Sequence, residues 1–144
     1  MSDVLGAGPL GPPVSALSAP AEPFQSQLDA ANTALQLTPQ ERALYEMHLN
    51  NLTGPGGVDN PDGSRSSLFQ LSFENDGRTY NVPSVWEGQI LEPRAAIDRA
   101  VQYGLDKFPS YGSDEEAESR YDKMHQFMEM DTQKWLAGRQ SPPQ

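Results

Sequence analysis

Leu68-Phe69-Gln70-Leu71-Ser72-Phe73-Glu74, then Asn75-Asp76-Gly77-Arg78, then Thr79-Tyr80-Asn81-Val82-Pro83-Ser84-Val85-Trp86 is the stretch that decides the fold. The first run alternates, with Leu68, Gln70 and Ser72 on one face and Phe69, Leu71 and Phe73 on the other, as a strand requires. Asn75 to Arg78 carries turn chemistry, and Thr79 to Trp86 is the return strand. Pro83 has no N–H to give a ladder, so the return strand is at an edge, bulged, or broken there. Glu87-Gly88 turns the chain into Gln89-Ile90-Leu91. The centre of the protein therefore reads as an antiparallel meander of two or three strands.

Downstream the period changes to that of a helix. Glu92 to Tyr103 has Pro93 in its first turn, Gly104 as a C-terminal cap, and Ala96, Ile97, Ala100 and Val101 as its apolar residues. Phe108-Pro109-Ser110-Tyr111 follows. Ser113-Asp114-Glu115-Glu116 fits a capping box, and its acids suit a helix N-terminus. A long helix from about Asp114 to Leu136 has Ala117, Tyr121, Met124, Phe127, Met128 and Trp135 as its apolar stripe. Lys134 and Arg139 sit near its C-terminal end, where cations are favoured.

Upstream, Gly54 to Ser64 is a loop by composition. Thr38-Pro39-Gln40-Glu41 is a second capping box. It opens a helix with Leu44, Tyr45, His48, Leu49 and Leu52 on one face, which should stop before Gly54. Residues 25–36 suggest a weaker helix bearing Leu28, Ala31 and Leu35. Residues 1–24 hold five prolines, three glycines and no lysine or arginine, a composition that does not fold alone. The expected organisation is an extended arm at 1–24, a helical segment at 25–53, a small α+β module at 54–140 and a tail at 141–144. The arm reads either as a loose tail or as a strap along a neighbouring subunit.

Composition narrows the function. Gly and Pro together number 25 of 144 residues and the hydrophobic fraction is 36%, so a compact core requires much of the Gly and Pro to lie outside it. A formal net charge of −10 repels nucleic-acid phosphates and anionic membranes, so no direct nucleic-acid binding is expected. The chain has no cysteine, which removes disulfides and thiolate zinc sites. No stretch approaches the ~18 apolar residues of a membrane span, and the N-terminus lacks the basic start and apolar core of a signal peptide.

Sites of chemistry are sparse. His48 and His125 are the only histidines. His125 and Glu129 share a helical face at i,i+4, but no HExxH motif or further clustered ligand supports a metal there. His48 suits packing or a buried hydrogen bond, and His125 a local ion pair. Asp59-Asn60-Pro61-Asp62-Gly63-Ser64 is rich in oxygen, yet it misses the spacing of a calcium loop and reads as a turn. Asn51-Leu52-Thr53 matches a glycosylation acceptor but lacks a secretory context. Ser84 has no G-x-S-x-G setting, and Gly54-Pro55-Gly56-Gly57 lacks the lysine of a phosphate loop. No catalytic residue, cofactor or metal is expected. Trp86, Tyr80, Phe108 and Tyr111, with Tyr103, form an aromatic concentration that reads as core. One or two of the first four are candidate interface anchors.

Asn81-Val82-Pro83-Ser84-Val85-Trp86-Glu87-Gly88, then Phe108-Pro109-Ser110-Tyr111, then Glu116-Ala117-Glu118 and Met124-His125 together resemble a small module of tailed-bacteriophage proteins. That module has the pattern N-(I/V)-P-(S/T)-V-W-x-G, F-P-S-Y, E-A-E…M-H. The resemblance covers roughly the second half of the chain. It implies a virion component assembled in the host cytoplasm, docking in symmetric copies onto other virion proteins, at a head–tail or tail position or with the ejected proteins. A capsid decoration protein is the nearest alternative. A small phage protein that assists peptidoglycan degradation, or binds a host protein, is another.

Overall fold

The structure, a computed structural model, describes the backbone of residues 22–140 and the side chains of residues 24–139. It is an α+β fold, with four α-helices and short antiparallel strands among the described residues. Most of the arm expected at 1–24 lies outside the described residues, as does the tail. The last three arm residues do not belong to it: helix α1 spans Glu22–Leu35. Phe24, Leu28 and Ala31 recur at helical spacing and all enter the core.

Helix α2, Pro39–Thr53, begins with the expected reciprocal cap. Thr38 Oγ1 accepts from Glu41 N–H at 3.1 Å and Glu41 Oε1 accepts from Thr38 N–H at 3.0 Å. Its buried face is Leu44, Tyr45, His48, Leu49 and Leu52, as the spacing predicts. The following loop is more regular than its composition suggests. Val58–Asp59 (β1) and Arg65–Ser66 (β2) form a two-rung antiparallel ladder. Asp62 Oδ1 accepts from the Ser64 N–H at 3.0 Å and closes the turn.

Strands β3 (Leu71–Asn75) and β4 (Arg78–Val82) make the hairpin, with Leu71 opposite Val82 and Phe73 opposite Tyr80. Asp76 and Gly77 both have positive φ, 53° and 80°, which gives the two-residue turn whose twist matches that of paired strands. The strand starts at Leu71 rather than Leu68. Leu68 O accepts from the N–H groups of Ser84 and Val85, which ties it to the corner after Pro83. Phe69 then takes a left-handed φ of 48° and points outward, 64% exposed. Pro83 ends β4, as expected, and Val85–Trp86 (β5) pairs separately with Gln89–Ile90 (β6). The third strand of the main sheet is therefore not residues 89–91. It is Ser110–Tyr111 (β7), with Thr79 opposite Tyr111 and Tyr80 opposite Ser110.

Helix α3, Pro93–Tyr103, is capped by Glu92 and buries Ala96 and Ala100. Gly104, at φ 120°, accommodates the turn into a 3-10 segment at Leu105–Lys107. Helix α4, Asp114–Gln140, runs four residues beyond the expected end. Its capping differs in detail: Ser113 Oγ accepts from Glu116 N–H, but the Glu116 carboxylate accepts from Gly112 N–H. α4 packs against α1, α2, β4 and β7. Met124 and Met128 are buried there and Tyr121 is half-buried. One core joins Phe24 and Leu28 of α1, Leu44 to Leu52 of α2, Val82, Phe108, and Met124 and Met128 of α4. The core therefore crosses the boundary drawn at residue 53. None of the helices among the described residues is long and apolar enough to cross a membrane.

Candidate functional site

Two clusters of ionisable groups lie inside this frame. The first surrounds Glu41, the capping residue of α2, which is fully buried. Arg120 of α4 donates to both carboxylate oxygens, at 2.9 and 2.8 Å, and Tyr111 OH donates at 2.6 Å. Arg120 also donates to Leu35 O at 3.0 Å, covering the C-terminal end of α1. Burial pushes the Glu41 carboxyl up. Hydrogen bonds from Arg120, Tyr111 and the Thr38 N–H outweigh it and hold the carboxyl below its usual value. One carboxylate thus ties together α1, α2, α4 and β7.

The second cluster has the residue types of a nucleophilic triad. Ser67 Oγ lies 2.5 Å from His48 Nδ1, and His48 Nε2 lies 3.1 Å from Asp131 Oδ2. Tyr45 OH donates to that same Oδ2 at 2.6 Å. Asp131 Oδ1 is buried without a hydrogen-bond partner among the described residues. Burial lowers the His48 pKa despite the opposing pull of Asp131, so the ring is neutral at pH 7. Its Nε2–H then faces Asp131 and its Nδ1 accepts from Ser67. A neutral imidazole accepting from a serine is the starting arrangement of a general base. The base must next hand its proton to a leaving group, which requires contact with substrate. His48 itself is 0% exposed, while Ser67 is half-buried and both border a cavity of ≈ 280 Å³. The chain of bonds also fastens α2 to α4 and to the segment leading into β3.

His125, expected in a local ion pair, stacks on Tyr121 with ring centroids 5.3 Å apart. Among the described residues no three His, Asp or Glu side chains converge as a metal site requires.

The candidate anchors divide. Phe108 and Tyr111 are buried, Phe108 in the core and Tyr111 with its hydroxyl on Glu41, so neither can reach a partner. Tyr80 is half-buried and stacked on Phe73. Trp86 is half-buried, with its indole N–H on Pro83 O at 3.1 Å and the Arg99 guanidinium 5.1 Å from its ring. Beside Trp86 the exposed ring is Tyr103, 47% exposed and 5.5 Å away. On the same helix Val101 is 54% exposed. The four-residue spacing of Arg99 and Tyr103 gives the only hint in the sequence that both lie along one side of α3, beside Trp86. No protein-family model, curated protein or solved structure matches the chain.

Proposed function

We propose that this protein is a non-enzymatic structural or accessory component of a tailed-phage virion, which docks onto another virion protein through the outer side of α3. One observation carries the docking half of this reading. The ionisable clusters are consumed in holding helices together, whereas Tyr103 stands exposed beside Trp86. A large aromatic side chain left in water next to a half-buried tryptophan suits a protein interface better than a small-molecule site. The phage half rests on the resemblance of residues 81–88, 108–111 and 116–125. It gains support from their convergence: Asn81 N–H donates to Pro109 O at 3.1 Å, and Asn81 Nδ2 donates to Ala117 O at 3.1 Å. Residues from all three motif segments thus meet in one body.

Mass spectrometry of purified particles tests the reading. The protein should be present in washed virions at a fixed ratio to the major structural proteins. The purified chain should leave peptidoglycan intact in a turbidity assay. Absence from particles, or lysis that survives repurification, would overturn it.

A further inference from the structure

The row of Ser67, His48 and Asp131 has features that a clamp between helices does not need, and none of them depends on the virion reading. Glu41, the other buried carboxylate, is neutralised by Arg120. Asp131 has only His48 as an ion-pair partner among the described residues, and its Oδ1 accepts no hydrogen bond. A buried carboxylate is costly beside a neutral ring and becomes satisfied when that ring gains a proton. His48 gains one when Ser67 Oγ, 2.5 Å from Nδ1, gives up its own. The ring is already aimed for this exchange. Tyr45 packs edge-on against it with centroids 5.4 Å apart, and Nε2 lies 3.1 Å from Asp131 Oδ2.

Ser67 is held as firmly as the ring. Asn51 Nδ2 donates to Ser67 O at 2.9 Å, and the next carbonyl, Leu68 O, accepts from the Ser84 and Val85 N–H groups at 2.8 and 3.1 Å. Phe69 then turns at φ 48°, a left-handed conformation that is rare for a bulky side chain and recurs where strain serves a site. Leu68, Phe69 and Met128 give the cavity beside Ser67 an apolar lining, and the exposed His125 and Glu129 line it too. Its ≈ 280 Å³ lies under the roughly 300–1,000 Å³ of drug-sized sites and suits a short acyl chain. We propose that Ser67 is a covalent acceptor for a short acyl group delivered by an activated ester, a thioester or an aryl ester. The Oγ lone pair attacks the carbonyl carbon and the Oγ–C bond forms. The bond to the leaving sulfur or aryl oxygen breaks, and its electrons depart with the thiolate or phenolate. The Ser67 proton moves to His48 Nδ1, and Asp131 faces the resulting imidazolium. That ring is 0% exposed, so its new proton does not reach the leaving group. Only a group that departs unaided as an anion can leave, which excludes ordinary alkyl esters and amides. Water does not touch the ring either, so none is activated for hydrolysis and the acyl-serine persists. A persistent adduct is a modification rather than turnover, and a structural component can carry one.

Mass spectrometry of the full chain after incubation with p-nitrophenyl acetate tests this. The tryptic peptide that follows Arg65 and ends at Arg78 should carry one acetyl group, and fragment ions should place it on Ser67. Ser66, half-buried in the same peptide, is the internal control. Ser67 should react roughly a hundredfold faster than Ser66, the scale of general-base assistance. His48→Gln should bring Ser67 down to the Ser66 rate. No acetyl group on Ser67, or equal labelling of the two serines in the parent, would overturn the proposal without recourse to any variant. So would undiminished labelling of Ser67 in His48→Gln. An adduct that disappears once the donor is removed would overturn it as well, because the serine would then be turning the ester over.

Discussion

A carboxylate shut away from water must find its counter-charge within the fold, and Glu41 finds it in Arg120. Removing one partner of such a pair leaves a buried charge that nothing neutralises. Arg120→Ala should therefore lower the unfolding free energy by about 3 kcal/mol in urea titrations at pH 7. The exposed pair of Arg99 and Glu87 is as short, 2.7 Å, but water screens it. Arg99→Ala should cost less than about 1 kcal/mol. Equal losses in the two variants would show that Glu41 is not sealed. His48 gives a pH signature. Burial holds its folded pKa below the ordinary ~6.5 of the unfolded chain. The unfolded state therefore takes up a proton that the folded state refuses, so stability is complete above about pH 6.5 and falls as pH drops toward the folded value. Asp131, Tyr45 and Ser67 face the ring directly, and His125 and Glu129 act from further away. Glu41 is held below its ordinary value of 4.5 and stays ionised across this window. The urea midpoint of the parent should drop between pH 7.5 and 5.5, and His48→Gln should flatten that drop. A parallel drop in the variant would assign the effect to other groups.

The elements show what spacing can and cannot reveal. Gly77 and Gly57 are both turn glycines, yet their substitutions should differ. Gly77 has φ 80° and open space around a would-be Cβ, so Gly77→Ala carries only the left-handed backbone cost of about 1–2 kcal/mol. A Cβ on Gly57 would fall on the Asn51 carbonyl oxygen at the end of α2, with the Arg65 guanidinium 2.8 Å away. Gly57→Ala should push β1 off the helix and melt well below Gly77→Ala in a calorimetric comparison. The reverse order would mean that the α2–β1 junction yields easily. Local signals were readable because their partners are near in sequence: the Thr38–Glu41 box, the Asp76-Gly77 turn, the stop at Pro83, and the face from Leu44 to Leu52. The third strand was not readable. A two-residue strand has no period, and Ser110-Tyr111 joins β4 from some thirty residues away in sequence. Gln89–Ile90 sat closer and looked equally extended. Glu41 was legible as a cap but not as a buried charge, because its partner is 79 residues distant. Asp131 looks like any other acid on a helix rich in them, and only the fold sets it against His48 and Tyr45.

At the scale of the molecule, the single core from Phe24 to Met128 separates folding from docking. Ala96 and Ala100 turn α3 inward, while Val101 and Tyr103 of the same helix face water. Removing the outward pair should therefore leave stability nearly unchanged, since surface positions of this kind usually shift it by less than about 0.5 kcal/mol. The Tyr103 ring does lie 5.5 Å from both Trp86 and Phe108, so its loss exposes part of the Trp86 face. Val101→Asp avoids that complication, because it adds a charge where the side chain is already solvated. Interface energy concentrates in a few large side chains that partners enclose, and truncating one typically costs 2 kcal/mol or more, roughly thirtyfold in affinity. Val101→Asp combined with Tyr103→Ala should thus keep the parent's melting temperature to within a few degrees and reduce recovery in purified particles at least tenfold. Tyr103→Ala alone should show most of the loss. Full incorporation of the folded double variant would remove α3 as the docking element and leave the exposed Phe69 corner, on the other side of the Pro83 break, as the next surface to test.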